Sequence, residues 1–304
     1  MRIHTTGKIT EGFYSLGHEA VPVFLLDGPS PVLFDAGFTA LGPHYEREIK
    51  KLIGSRAPTY LFITHSHWDH IGAAGHFKTI WPDLRIAGSS RMQETLNRPG
   101  ALRSIAELNR QGAREMRYWE NAVAADIPFK SFSLDVALDP GDSLELAPDC
   151  HVKALYTPGH TWDNMSYWIP EKGILVASEA VGCEHMGRIT AEFLVDYDVY
   201  RKSLVSLNKL EPQILCLAHQ FVFTGADVRD YLRRSLEAGD AFVKMVENFL
   251  QEAAGDIELV VHRVRDMEWK ELPFPKQPEP AFLLSTRARV RHVWERMKRR
   301  ERGR

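Results

Sequence analysis

The sequence predicts a mixed α/β (α+β) protein, with a β-rich core over residues 1–224 and a helical section over residues 225–304. Three observations carry this. Short apolar runs bounded by turn residues alternate with segments of helical period through the first two thirds of the chain. Several of those runs end directly before a histidine or an acidic residue. After Thr224 the apolar spacing is helical almost to the end.

In order, Phe13-Tyr14-Ser15, Val21 to Leu26 and Pro31 to Phe34 read as strands, with Asp27-Gly28-Pro29-Ser30 as turn chemistry between the last two. Gly42-Pro43 opens a helix to about Ile53, because proline at a first helical position has φ preset and gives up no needed donor. Thr59 to Ile63 is a β-type run ending at Thr64-His65; a helix follows over about Asp69 to Phe77, then a strand over Leu84 to Gly88. Residues 90–121 are a helical insertion: Met92, Leu96, Ile105, Leu108, Met116 and Trp119 suggest two helices broken at Pro99-Gly100. Strands resume at Ser143 to Leu146, Val152 to Tyr156, Met165 to Ile169 and Gly173 to Ala177. A helix covers Val199 to Leu210, and Ile214 to Leu217 is a buried strand just before His219. Helices follow at about 227–252, 256–268 and 280–300, with Pro273, Pro275, Pro278 and Pro280 interrupting before the last.

The 304 residues allow one large domain, or one domain with a smaller appendage, and a core that needs no disulfides. Cys150, Cys183 and Cys216 form no CxxC pair, so they read as free thiols rather than a zinc finger or a secreted scaffold. The N-terminus lacks an apolar signal segment and no run is long enough to span a bilayer, which predicts a cytoplasmic protein without a membrane partner. A net charge of −2 makes nucleic acid an unfavoured partner. The local exception is Arg287 to Arg304, with nine Lys or Arg against two Glu; Val290, Val293, Trp294 and Met297 mark it as an amphipathic helix with a basic face.

The chemically informative segment is Thr64-His65-Ser66-His67-Trp68-Asp69-His70, on a loop between strand and helix. On extended backbone His65 and His67 turn their rings to one side, while Asp69 and His70 face a second point as the helix begins. Three imidazoles and a carboxylate make a nitrogen and oxygen donor set for Zn²⁺, Fe or Mn²⁺. The spacing arises by chance on the order of once in a thousand sequences of this length, so it says far more than a lone histidine. Further donors belong at strand ends, and His160, Glu179 and His219 each follow an apolar strand there.

These segments resemble the metallo-β-lactamase superfamily, and within it glyoxalase II and related thioesterases and lactonases. The resemblance runs through residues 1–224: Asp35 after an early strand, the H-x-H-x-D-H loop at 65–70, His160 in Pro-Gly-His-Thr, Glu179 where the family normally has a bridging Asp, and His219 after a late strand. The insertion with Glu107-Leu108-Asn109-Arg110-Gln111 and the helical tail are also similar to the quinolone-signal response thioesterase.

The resemblance implies an αββα sandwich and a binuclear centre of two divalent ions, Zn or Fe, with Mn also compatible. His65, His67 and His160 would hold one ion, Asp69, His70 and His219 the other, and Glu179 would bridge them, with Asp35 orienting the loop from behind. It also implies a hydrolase whose metal-bound hydroxide, oriented by catalytic Asp69, attacks a small acyl substrate: a thioester, ester or lactone. Two alternatives are a phosphodiesterase or nuclease on the same fold, suggested by the basic tail, and a regulatory protein with vestigial hydrolase activity, suggested by Glu at position 179. Arg91, Arg98, Arg103, Arg110, Arg114 and Arg117 read as a solvated face, or as a receiver for a phosphate-bearing leaving group such as coenzyme A. A small-molecule substrate is expected, and a homodimer is allowed for.

Overall fold

Every residue of the strand Val21–Leu26 is buried, as befits a strand covered on both faces. Val23 and Leu25 join an apolar cluster with Leu33, Leu61, Ile86 and the helical residues Tyr45, Ile49 and Phe77. Phe24 and Leu26 point the other way and join Tyr167, Val176 and Cys216 of a second sheet. Alternation of side chains along one strand thus separates two cores and yields four layers: helices, sheet, sheet, helices. The metallo-β-lactamase αββα sandwich expected from the sequence is the fold observed.

The computed structural model describes residues 1–116, 119, 124–272 and 276–303. Arg117, Pro273 and Pro275 of the sequence reading lie outside the described residues. Strand β1 (Arg2–Ile3) opens the chain and pairs into the second sheet. The first sheet runs in chain order: β2 (Gly7–Thr10), β3 (Phe13–His18), β4 (Val21–Leu26), β5 (Val32–Phe34), β6 (Tyr60–Phe62), β7 (Arg85–Ser89) and β8 (Val136–Leu138). The second has the order β1, β16 (Val222–Thr224), β15 (Ile214–Cys216), β12 (Ile174–Val176), β11 (Met165–Ile169), β10 (Cys150–Tyr156) and β9 (Ser143–Ala147). A separate hairpin pairs β13 (Cys183–His185) with β14 (Arg188–Thr190).

Strand direction places the site. β5 and β6 are parallel, so Asp35 and the loop starting at Ile63 leave one edge of the first sheet together. In the second sheet β11 is antiparallel to both β10 and β12, and β12 is parallel to β15. β10, β12 and β15 therefore share a direction, and the segments bearing His160, Glu179 and His219 leave from one edge.

The single helix expected over Asp69 to Phe77 is two: α2 (Trp68–Ile71) and α3 (Ala74–Ile80), after α1 (Gly42–Ile53). The break has a local cause. Gly72 N–H donates to the Gly37 carbonyl at 2.8 Å and Ala73 N–H to the Ala36 carbonyl at 3.3 Å, bonds that draw the backbone towards the segment after β5 instead of the preceding turn. The insertion contains α4 (Ser90–Leu96) and α5 (Pro99–Glu115), with Pro99 at a helix start. β1, β2, β8, β13, β14 and β16 went unread because runs of two to four residues carry too little periodicity.

α6 (Tyr197–Asn208), α7 (Ala226–Glu252), α8 (Ile257–Glu268) and α9 (Glu279–Arg302) share one apolar cluster with the second sheet. In it Val290 and Val293 of α9 meet Val260 and Val264 of α8, as the amphipathic pattern required. The basic face of α9 is largely engaged within the chain: Arg287 pairs with Glu258 at 2.6 Å, Arg296 with Asp198 at 3.0 Å, and Arg300 with Glu247 at 3.2 Å. Arg289 is fully buried, 3.0 Å from Glu268 and with its guanidinium 4.5 Å from the centre of the Phe242 ring. Among the described residues the three cysteines are free thiols; Cys216 is buried, Cys150 and Cys183 half-buried.

Candidate metal centre

The loop after β6 is anchored before it delivers any donor. Asp35 adopts φ 59°, a left-handed conformation that costs most L residues energy but that aspartate tolerates. There its carboxylate accepts from Thr64 N–H at 2.8 Å, from the Thr64 hydroxyl, and from His70 Nδ1 at 2.8 Å. Ser178 (φ 52°) and Gln220 (φ 64°) are likewise left-handed, one immediately before Glu179 and the other immediately after His219. Backbone in this region costs roughly 1–3 kcal/mol per residue and persists where its surroundings enforce it.

Gly159 (φ +130°) solves the same problem for His160: a Cβ there would lie 2.3 Å from the Tyr200 Cα, so only glycine lets the two backbones approach.

Seven side chains converge as two groups, His65, His67 and His160, and Asp69, His70, Glu179 and His219, with the donor atoms of each group within 4.8 Å of one another. His67 Nδ1 lies 3.0 Å from His160 Nε2. Glu179 Oε1 is 2.9 Å from His70 Nε2, 3.4 Å from His219 Nε2 and 4.0 Å from His160 Nε2, so this carboxylate stands between the groups. Its other oxygen accepts from the Ser178 hydroxyl. Asp69 Oδ2 is 3.6 Å from His219 Nε2.

Outer partners fix the tautomers. His160 Nδ1 faces the Glu192 carbonyl at 2.5 Å and His219 Nδ1 the Ala20 carbonyl at 2.6 Å. A carbonyl can only accept, so each Nδ1 carries its hydrogen and each Nε2 points a lone pair inward. The Asp35 carboxylate imposes the same state on a neutral His70. His65 is fully buried, and its Nε2 has no hydrogen-bond partner. An orphaned buried polar atom costs about 1–3 kcal/mol, and a cation among the neighbouring imidazoles would satisfy it. The residues therefore fit divalent ions bound through nitrogen and oxygen.

The electrostatics divide along the same line. Burial holds His65 well below its usual range, His67 at about 4 with the His160 ring adding to the effect, and His160 below its usual range. Those three imidazoles are neutral and ready to donate. Burial acts against protonation of His70 too, but the charges of Glu179, Asp35 and Asp69 outweigh it and raise its pKa well above the usual value. For His219 burial is likewise outweighed by Glu179 and Asp69, and its pKa is raised. Burial would raise Glu179, yet the His70 charge foremost, with a hydrogen bond from His219, holds it well below the carboxylate range. The two upward shifts favour a proton on His70 and on His219 beside these acids. The side chains of His219 and Asp69 are 27% and 16% exposed, against 3% and 5% for His70 and Glu179 in the same group.

All seven residues singled out in the sequence are thus brought together, with Asp35 behind them. Sequence reasoning missed Ala20 and Glu192, which act through backbone carbonyls and leave no residue signature. It also missed Asp163, whose carboxylate accepts from Ser66 N–H at 2.9 Å and ties the two halves of the site. Of the insertion arginines, Arg98 and Arg110 pair with Glu94 and Glu107.

Comparison with known proteins bears on the family and the fold. The sequence model of the metallo-beta-lactamase superfamily matches residues 17–219. Among curated proteins, the chain is similar to the cytoplasmic hydroxyacylglutathione hydrolase of Arabidopsis thaliana, 26% identical over 37% of this chain and 30% of that protein. It is also similar to the hydroxyacylglutathione hydrolase of Thermosynechococcus vestitus, 25% identical over 53% of this chain and 49% of that protein. The match spans half or less of the length of these hydrolases. Among solved structures, a metallo-beta-lactamase family protein of Thermus thermophilus superposes with a TM-score of 0.63 at 17% identity, covering 96% of this chain and 95% of that one.

Proposed function

We propose that this chain, which belongs to the metallo-beta-lactamase superfamily, is a hydrolase that holds two divalent ions, Zn or Fe, and cleaves a small acyl substrate: a thioester, ester or lactone. Superfamily members are metal-dependent hydrolases. The observation that carries this reading is the place of Glu179, whose Oε1 faces donors from both groups. Glu is one methylene longer than the Asp usual at this position, and the left-handed turn at Ser178 sets its carboxylate between the two histidine sets.

In this reading His65, His67 and His160 would hold one ion and Asp69, His70 and His219 the other, with the Glu179 carboxylate within reach of both groups. Divalent ions in such a site acidify water and polarise the acyl oxygen under attack. The protein's own residues do the rest. The carbonyls of Glu192 and Ala20 and the carboxylate of Asp35 keep the imidazoles aimed. Asp69, on the more open side, is placed to accept a proton from attacking water and to orient it.

The acyl class is favoured by the similarity to hydroxyacylglutathione hydrolases. A nuclease reading loses its motive, because the cations of α9 are largely engaged with acids of the same chain. No helix among the described residues is long and apolar enough to cross a membrane.

The test is turnover of acyl-CoA, S-acyl-glutathione and lactone panels by metal-loaded protein beside the His67→Ala variant. Turnover of one class by the wild type alone supports the reading. Equal rates with both proteins on every class reject it.

A further inference from the structure

The segments bearing Asp35 and Asp69-His70 form a clasp. Between them run backbone hydrogen bonds from Ala36 N–H to the His70 carbonyl at 2.7 Å and from Gly72 N–H to the Gly37 carbonyl at 2.8 Å. The Thr39 hydroxyl adds a bond to the Gly72 carbonyl at 2.8 Å. One end is closed by the Asp35 carboxylate on Thr64 and His70. The other is closed from outside, by a residue of α5 in the insertion.

That residue is Asn109, 2% exposed within a helix whose outer face is charged. Its Oδ1 accepts from Thr39 N–H at 2.9 Å. Its Nδ2 donates to the Trp68 carbonyl at 2.8 Å and to the Ile105 carbonyl at 3.2 Å. A backbone N–H can only donate and a carbonyl only accept, so these partners fix which end of the amide is which. Trp68 stands between His67 and Asp69. The fit is close: a Cβ on Gly72 would lie 2.5 Å from Asn109 Oδ1, and one on Gly112, a turn further along α5, 2.6 Å from the Trp68 ring. That ring stacks on Phe38 with centroids 4.6 Å apart.

Resting on the two-ion reading above, we infer that Asn109 is a positioning residue for the second ion: it sets where Trp68 leads into Asp69 and His70, and so the geometry of the group they form with Glu179 and His219. Of the first group only His67 adjoins Trp68, and the other two members are held elsewhere. His65 is anchored beside Thr64, and His160 is held from the second sheet by Glu192. A role confined to packing would weaken both ions together; this one weakens the second selectively.

The experiment is stepwise titration of metal-free protein with Co²⁺, following the ligand-field spectrum and stoichiometry, for wild type, Asn109→Ala and Asn109→Asp. Asp retains the acceptor for Thr39 but loses the donor to Trp68. The wild type takes up two ions. Both variants bind the first within about threefold of wild type and the second about tenfold more weakly, the low end of the roughly 10- to 100-fold cost of losing a group that bonds a metal ligand directly, since Asn109 acts through the adjoining backbone. Equal weakening of both ions, or an unchanged second one, overturns the inference. Should the Asn109 variants not fold, Gly112→Ala carries the test. It leaves the amide in place and presses on Trp68, and selective loss of the second ion is again expected, with equal or no loss counting against it. A wild type that binds a single ion or none overturns the two-ion reading itself, and this inference with it. Two ions in the wild type with no selective loss in the variants overturn this inference alone.

Discussion

His67 Nδ1 and His160 Nε2 face each other across 3.0 Å, while the second nitrogen of His160 is committed to the Glu192 carbonyl. Two imidazole nitrogens bound at about 2.0–2.1 Å to one tetrahedral ion stand roughly 3.3 Å apart. The rings already have nearly that spacing, and they come from different sheets. Removing one of them through His67→Ala should abolish high-affinity binding of the first ion and lower kcat/KM by on the order of 10³-fold, since an ion contributes several kcal/mol to the transition state. Elemental analysis and steady-state kinetics check this, and wild-type metal content in the variant would contradict it.

Glu179 offers a graded test of the shared carboxylate. Glu179→Ala should leave one ion, because the second group loses a donor while His65, His67 and His160 remain. Glu179→Asp should keep two, with the second held about tenfold more weakly, since the shorter side chain reaches His70 and His219 less well. Calorimetric titration of metal-free protein distinguishes the two; two tight ions in the Ala variant would remove Glu179 from the site.

Acidification should release the ions in sequence. A histidine with a raised pKa keeps its proton to higher pH, so an ion binding there must displace that proton. His70 and His219 are raised, whereas His65, His67 and His160 are lowered, His67 to about 4. As pH falls, the second ion should therefore leave first and the first should persist to lower pH. Metal stoichiometry after equilibration from pH 8 to pH 5 measures the order; simultaneous loss would contradict the assignment.

Arg289 should matter for stability rather than chemistry. Its guanidinium and the Glu268 carboxylate are 1% and 5% exposed. Arg289→Met should destabilise the protein by about 3–5 kcal/mol, because it leaves Glu268 buried beside fewer positive charges. Urea denaturation reads the loss. Replacing both partners by Met and Leu should recover much of it, and a double variant no better than the single one would argue against this account.

The donors were legible in the sequence because their chemistry is rare and their spacing regular: His65, His67, Asp69 and His70 stand within six consecutive residues. His160, Glu179 and His219 were legible because each follows an apolar strand. The carbonyls of Ala20 and Glu192 were not, since any residue supplies the same atom. Asn109 was visible only as a polar residue on a helix; that it faces inward depends on the pairing of two loops that lie about seventy and forty residues upstream. The division of the predicted helix after His67 escaped for the same reason, its cause being long-range bonds at Gly72 and Ala73.

The seven donors are divided between the two sheets, four arriving from the loop after β6 and three from segments following β10, β12 and β15. Ions bound among them would act as rivets through the seam of the sandwich, so that opening the seam would mean breaking coordination bonds. Metal supply would then govern not only turnover but how long the two halves stay joined.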